Sequence, residues 1–268
     1  MKNIINTFLL LFFVITCIQT KAQVLRNWSQ NAFKTGESLD FTASYGMIDA
    51  AKINLTILTE KAAVGNRNTY HVVGQGKSLG AFSWFFKVDD RYETYIDDQS
   101  IIPWIFVRRV HEGGYQLKRN IYFNHYQDKA VVKELKNDTK TTYEINTNSQ
   151  DLLSAFYYAR TMDLQAAKVG QEFVISTFFD KENYPLKIKF VGREKVKTDL
   201  GEFNCLKFNP MLQEGRVFKE KEDMTIWISD DQNKVPIRLQ TNLLIGSLKI
   251  DLNEYSGLMV PLNGARKK

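Results

Sequence analysis

The 268-residue chain has two cysteines, three histidines and five prolines. With only Cys17 and Cys205, at most one disulfide is possible, so the fold is not a disulfide-stapled scaffold. His71, His111 and His125 stand in three separate segments and lack the short spacing of a zinc site. No apolar run after residue 22 approaches the ~20 residues needed to span a bilayer as a helix. Charge of one sign is never concentrated, since 36 basic residues are interspersed with 30 acidic ones. The small basic cluster "VRRVHEGGYQLKRN" falls on two neighbouring strand-like stretches and suits an anionic surface. Without a binding module it does not point to nucleic acid. Gly-rich phosphate loops, dinucleotide fingerprints and C-x-x-C pairs are all missing, so no cofactor is expected.

The first 22 residues read as a leader. Lys2 is a short positive region, Phe8 to Ile15 is an unbroken apolar core, and Thr20-Lys21-Ala22 offers small residues for cleavage. An exported chain beginning near Gln23 is expected, with 246 residues and a formal charge reduced from +6 to +4 by loss of Lys2 and Lys21. Lipidation at Cys17 is disfavoured by the bulky Thr16 before it. Cys205, in "FNCLKF", reads as a small buried hydrophobe.

Period-two alternation dominates the remainder. Leu39, Phe41, Ala43 and Tyr45 share one face of their stretch, as do Ile53, Leu55 and Ile57 of the next. The same holds for Leu117, Ile121 and Phe123, for Leu186, Ile188 and Phe190, and for Leu248, Ile250 and Leu252. In "MTIWIS", Ile226 and Ile228 oppose Trp227. Turn signals such as Glu112-Gly113-Gly114 and Asp230-Asp231-Gln232-Asn233 separate about a dozen candidate strands, spaced as in antiparallel meanders. Gly36-Glu37 fits a turn needing glycine's freedom, followed by an acid that caps or pairs locally. The expected fold class is all-β: a large antiparallel barrel-like or strongly curved sheet, one domain over 23–258, with a flexible tail at 259–268.

One stretch breaks the alternation. "SQDLLSAFYYARTMDL" predicts a helix over 149–161, capped by Asn148 or Ser149 with Asp151 in its first turn. Leu152, Leu153, Phe156 and Tyr157 would form a single stripe that plugs the concave face of the sheet. Tyr158 would reach the cavity rim, and Arg160 would meet an anionic ligand group or a buried carboxylate.

Candidate chemistry is thin. Ser154 lacks the flanking glycines of a nucleophile elbow and reads as a packing residue. The pairs Asp89-Asp90, Asp97-Asp98 and Asp230-Asp231 flank turns, and neighbouring strand residues face opposite sides, which does not suit a glycosidase dyad. Aromatics are the stronger signal. Trp84 and Phe86 in "WFFKV", with Trp104, Tyr157, Tyr158 and Arg160, are the candidate lining of a ligand cavity. A solidly filled core remains the alternative.

Four motifs carry a family resemblance. "FKTGESLDFTASYGMIDA", "QDLLSAFYYARTMDL", "VKTDLGEFNCLKFNP" and "IWISDDQNKVPIRLQTNLLIGSLKIDL" resemble, in order, the opening, internal helix, strand pair and closing hairpin of the bacterial domain of unknown function 3108. Ile237 stands where the family usually has valine. The resemblance spans Phe33 to about Leu252. It implies a Gram-negative envelope protein, periplasmic or outer-membrane-associated, with a barrel-like fold akin to capsule-associated lipoproteins. It supplies no reaction and no catalytic residues. A non-catalytic module binding an apolar or amphipathic ligand, a lipid or glycan intermediate, is the leading expectation. The alternatives are a structural or assembly protein and a cell-wall hydrolase.

Overall fold

The computed structural model describes residues 24–211, 224–242 and 246–265. The expected leader and Cys17 lie outside the described residues. Fifteen strands form one antiparallel sheet. The first nine are β1 (Ser38–Tyr45), β2 (Ile48–Ile57), β3 (Ala62–Val64), β4 (Arg67–Ser78), β5 (Asp89–Asp97), β6 (Pro103–Glu112), β7 (Tyr115–Asn124), β8 (Lys129–Glu134) and β9 (Thr139–Glu144). The others are β10 (Glu172–Phe179), β11 (Glu182–Thr198), β12 (Gly201–Met211), β13 (Met224–Ser229), β14 (Pro236–Asn242) and β15 (Ser247–Ser256). Two helices interrupt the series: α1 (Phe82–Phe85) and α2 (Leu152–Arg160).

Along the sheet the order is β10-β11-β12-β13-β14-β15-β1-β2-β4-β5-β6-β7-β8-β9, with β3 paired only to β4. Two sequential meanders are therefore joined by the ladder of β1 with β15, from Ser38 opposite Ser256 to Tyr45 opposite Leu248. The outermost strands, β9 and β10, do not pair with each other in this order, and the chain itself fills that seam. Gln150 bridges Thr177 in parallel: its N–H donates to Ser176 O at 2.8 Å, and its carbonyl accepts from Phe178 N at 2.8 Å. Asn183 donates from Nδ2 to Glu144 O and accepts from Asn146 N.

The β10–β11 turn also crosses to the other meander. Asp180 and Lys181 both have positive φ, the geometry of a type I′ hairpin. No glycine eases that backbone. Tertiary pairing holds it instead: Asp180 accepts from Arg108 on β6 and Arg119 on β7, while Lys181 pairs with Glu134 on β8.

The helix is shorter than the sequence predicts, and its cap differs. Residues 149–150 are extended because they are engaged at the seam, so Asn148 and Ser149 cannot cap. Asp151 is the N-cap, accepting from Leu153 N and Ser154 N at 2.8 Å, and Ser154 Oγ accepts from Asp151 N. This reciprocal capping box satisfies orphan N–H groups that would otherwise be buried unpaired.

The first and last described segments both pack onto the sheet. Arg26 donates to the carbonyls of Ser100 and Ile101, Trp28 donates from its indole to Thr161, and Phe33 is buried. Of the segment expected to be a flexible tail, the described residues pack down: Leu262 is buried, and Ala265 bridges Gly201. Glycine is required at Gly257, where φ is +68° and a Cβ would run into the Gly36 carbonyl.

Candidate functional site

Successive helix residues are 100° apart, so Leu152, Phe156 and Ala159 share one side while Leu153, Tyr157 and Arg160 share the next. The helix divides the interior accordingly. On the second side Leu153 and Tyr157 enter a dry core with Phe33, Val72, Ile96 and Phe106. Tyr157 meets the Phe33 ring edge-on at 4.9 Å between centroids. Burial holds its hydroxyl above the ordinary phenol pKa, with Glu37 adding to the effect.

The expected single stripe is therefore two faces. Leu152 is 48% exposed and Phe156 only partly buried, because their side looks into space. That space is an open cavity of about 340 Å³ between α2 and the part of the sheet that runs across the β1–β15 joint. Phe41, Ile53 and Leu55 line it from β1 and β2, Leu186 and Ile188 from β11, and Ile226 and Ile228 from β13. Leu239 and Ile250 add to this wall from β14 and β15. Those residues are inward members of the alternating sets. Trp227 points the other way, its indole donating to Glu194 at 3.1 Å. A lining so poor in polar partners holds water poorly.

Among the described residues, Arg160 and Lys234 are the only charged ones in this lining. Arg160 is 2% exposed and fully engaged. Its Nη1 and Nη2 donate to both oxygens of Glu37 at 2.5 and 2.8 Å, its Nε to Asn233 O, and Nη2 also to Ala32 O. Glu37, expected to act locally, thus closes a contact across 123 residues, and the anion meeting Arg160 is a buried carboxylate. Removing one partner of such a pair strands a buried charge, at a cost of about 3–5 kcal/mol. Lys234 sits in the turn between β13 and β14 with φ +48°. Burial lowers its ammonium below the ordinary lysine value; Asp163 and Asp231 pull the other way, and Arg160 adds to the lowering.

The other candidates are not brought together. Trp84 and Phe86 belong to α1 and its cap, 91% and 48% exposed, not to a strand facing an interior. Unbroken aromatics have no alternation to give one inward face, and the ladders of β4 and β5 stop at Ser78 and Asp89. Trp104 is buried and donates to Asp97 at 2.9 Å, outside the cavity. Tyr158 packs on Trp28 and under Arg26, whose guanidinium lies 4.3 Å from the ring centroid. Of the six, only Arg160 borders the cavity.

Three further groups carry perturbed titration. Asp151 is pushed up to about 6 by burial, against the donors Thr94 Oγ1, Ser154 and Leu153. His125 is held down to about 4 by burial while its Nε2 contacts Pro103 O at 2.7 Å. The Cys205 thiol is pushed up to about 12 by burial. Ser154 is spent on the cap, and among the described residues no three His, Cys, Asp or Glu side chains are grouped to hold a metal. No described helix is long and apolar enough to cross a membrane.

Fold and cavity define a class: a barrel-like antiparallel β-protein with an internal helix and an apolar interior site. Within it, the chain belongs to the DUF3108 family, described as a protein of unknown function, which matches residues 40–253. The chain is similar in structure to a β-barrel-like protein of domain of unknown function DUF1849 from Brucella abortus, at 10% identity and a TM-score of 0.52. That match covers 84% of this chain and 98% of that one, and it shows the fold alone. It is also similar to the hypothetical protein CT021 from Chlamydia trachomatis, at 8% identity and a TM-score of 0.39, over 89% and 94% of the two chains. No curated protein matches the sequence.

Proposed function

We propose that this chain is an exported, non-catalytic envelope module that holds an apolar or amphipathic ligand beside α2. The observation carrying this reading is the cavity of about 340 Å³, within the range of about 300–1,000 Å³ typical of small-molecule sites and lined almost entirely by aliphatic and aromatic side chains. The leader-like N-terminus supports export, with a mature chain starting near Gln23. Organic extraction and native mass spectrometry of the purified protein test the reading. Wild type is expected to carry lipid-like mass, and Leu239→Trp, which fills the cavity, is expected to lose it at an unchanged melting temperature. Protein that is empty and takes up no hydrophobic probe refutes it.

A second reading, an assembly partner, draws on one observation. Met47, Trp84 and Phe85 are 101%, 91% and 87% exposed at the same end of the paired strands β2 and β4. A stable stoichiometric complex retained by Leu239→Trp and lost on Trp84→Ser favours this alternative.

A further inference from the structure

The cavity is not uniform along its length. A helix of α2's size is roughly 13 Å long at 1.5 Å per residue, and the cavity runs beside it from Leu152 to Arg160. Near Leu152 the walls are aliphatic and open to solvent. At the far end stand two cations, which differ in what they have left to give. Arg160 is consumed by Glu37, Asn233 and Ala32. Lys234 forms no hydrogen bond from its ammonium and no ion pair with any described residue. Asp163 and Asp231 face it, but neither comes within ion-pairing distance. Asp231 Oδ1 accepts from the hydroxyl of Ser229 and the backbone N–H groups of Asn233 and Lys234, while its Oδ2 is buried without a hydrogen-bond partner and lies beyond ion-pairing distance of the ammonium.

We infer that the ligand is a single-chain anionic amphiphile, its chain lying along α2 between Leu186, Ile188 and Leu239 and its acidic head at the Lys234 ammonium. This rests on the reading of the cavity as a ligand site. A half-buried ammonium that makes no ion pair with a described residue and feels Asp163 and Asp231 only at longer range gains most from an anion that arrives with its own apolar chain. The chain displaces poorly held water, and the head replaces water at one charge in a weakly screened setting. A neutral chain leaves the ammonium as it was, and a cationic chain meets both Lys234 and the nearby Arg160. A carboxylate and a phosphate monoester share the required chemistry.

Calorimetric titration of the full chain with dodecanoate, dodecyl phosphate, dodecanol and dodecyltrimethylammonium tests this. One or both anions should bind about tenfold or more tighter than the alcohol, and the cation weakest. Which anion is tighter identifies the head. Lys234→Gln should bring the anion down to the alcohol's affinity, and Lys234→Arg should restore the gap. Chains that bind without anionic preference, or a preference that survives Lys234→Gln, overturn the inference while leaving the cavity reading standing. If no chain binds, both fall. Melting temperatures of the two variants separate loss of preference from loss of fold.

Discussion

At the scale of single residues, Asp151 and His125 oppose each other in their response to acid. Asp151 titrates near 6 in the fold against an ordinary 3.8, so the folded state binds its proton more tightly than the unfolded one. Its charge therefore costs stability above about pH 6, and acidification toward pH 4 relieves the cost, which is roughly 3 kcal/mol. His125 is the reverse. It titrates near 4 against 6.5, so the stability of its neutral form is lost as pH falls between those values. Asp151→Asn separates the two, because an amide can keep the cap through its oxygen and donate to Thr94. Urea unfolding at pH 7 should find this variant more stable than wild type, and at pH 4 the two should converge. A difference that does not change with pH would mean that Asp151 does not titrate in this window. The sequence showed an acid near a helix start but neither its burial nor its donor Thr94, 57 residues away on β5.

Among the elements, α2 tests the arithmetic of helical faces. Sequence spacing located the helix and its apolar residues, and the sheet decided which of its sides met protein and which met space. Leu153 is 9% exposed and packs on Gly74, where its methyl carbon lies 3.5 Å from the site a Cβ would take. Leu153→Ala should cost about 2–5 kcal/mol. Leu152→Ala, on the cavity side, should cost under about 1 kcal/mol, since much of that side chain is still in contact with solvent. Thermal or urea denaturation of the pair measures this, and equal losses would contradict the two-faced helix. Other elements were legible to different degrees. The strands carrying Ile226 and Ile228, or Leu186 and Ile188, were plain from alternation. The segment holding Trp84 was misread because it interrupts two ladders, and Lys234 gave no signal because a lysine in a turn is ordinary.

For the whole molecule, alternation and turn spacing were enough to indicate one large antiparallel sheet around a helix. The cavity beside α2 was not legible, because it depends on how the helix divides the space against the sheet. The ladder of β1 with β15 has a consequence in time. Every other strand pair among the described residues joins neighbours close in the chain, whereas Ser38 must find Ser256. Closing a loop of about 200 residues costs about 3 kcal/mol more than closing a hairpin of a few, by logarithmic scaling. The two meanders should therefore form first and the β1–β15 joint afterwards, with the Glu37–Arg160 contact completed in the same late step. In stopped-flow refolding, a substitution weakening that joint, such as Leu252→Ala, should mainly speed unfolding. Val132→Ala, inside the first meander, should slow folding instead. The reverse assignment of rates would mean that the ends of the chain meet before the halves are built.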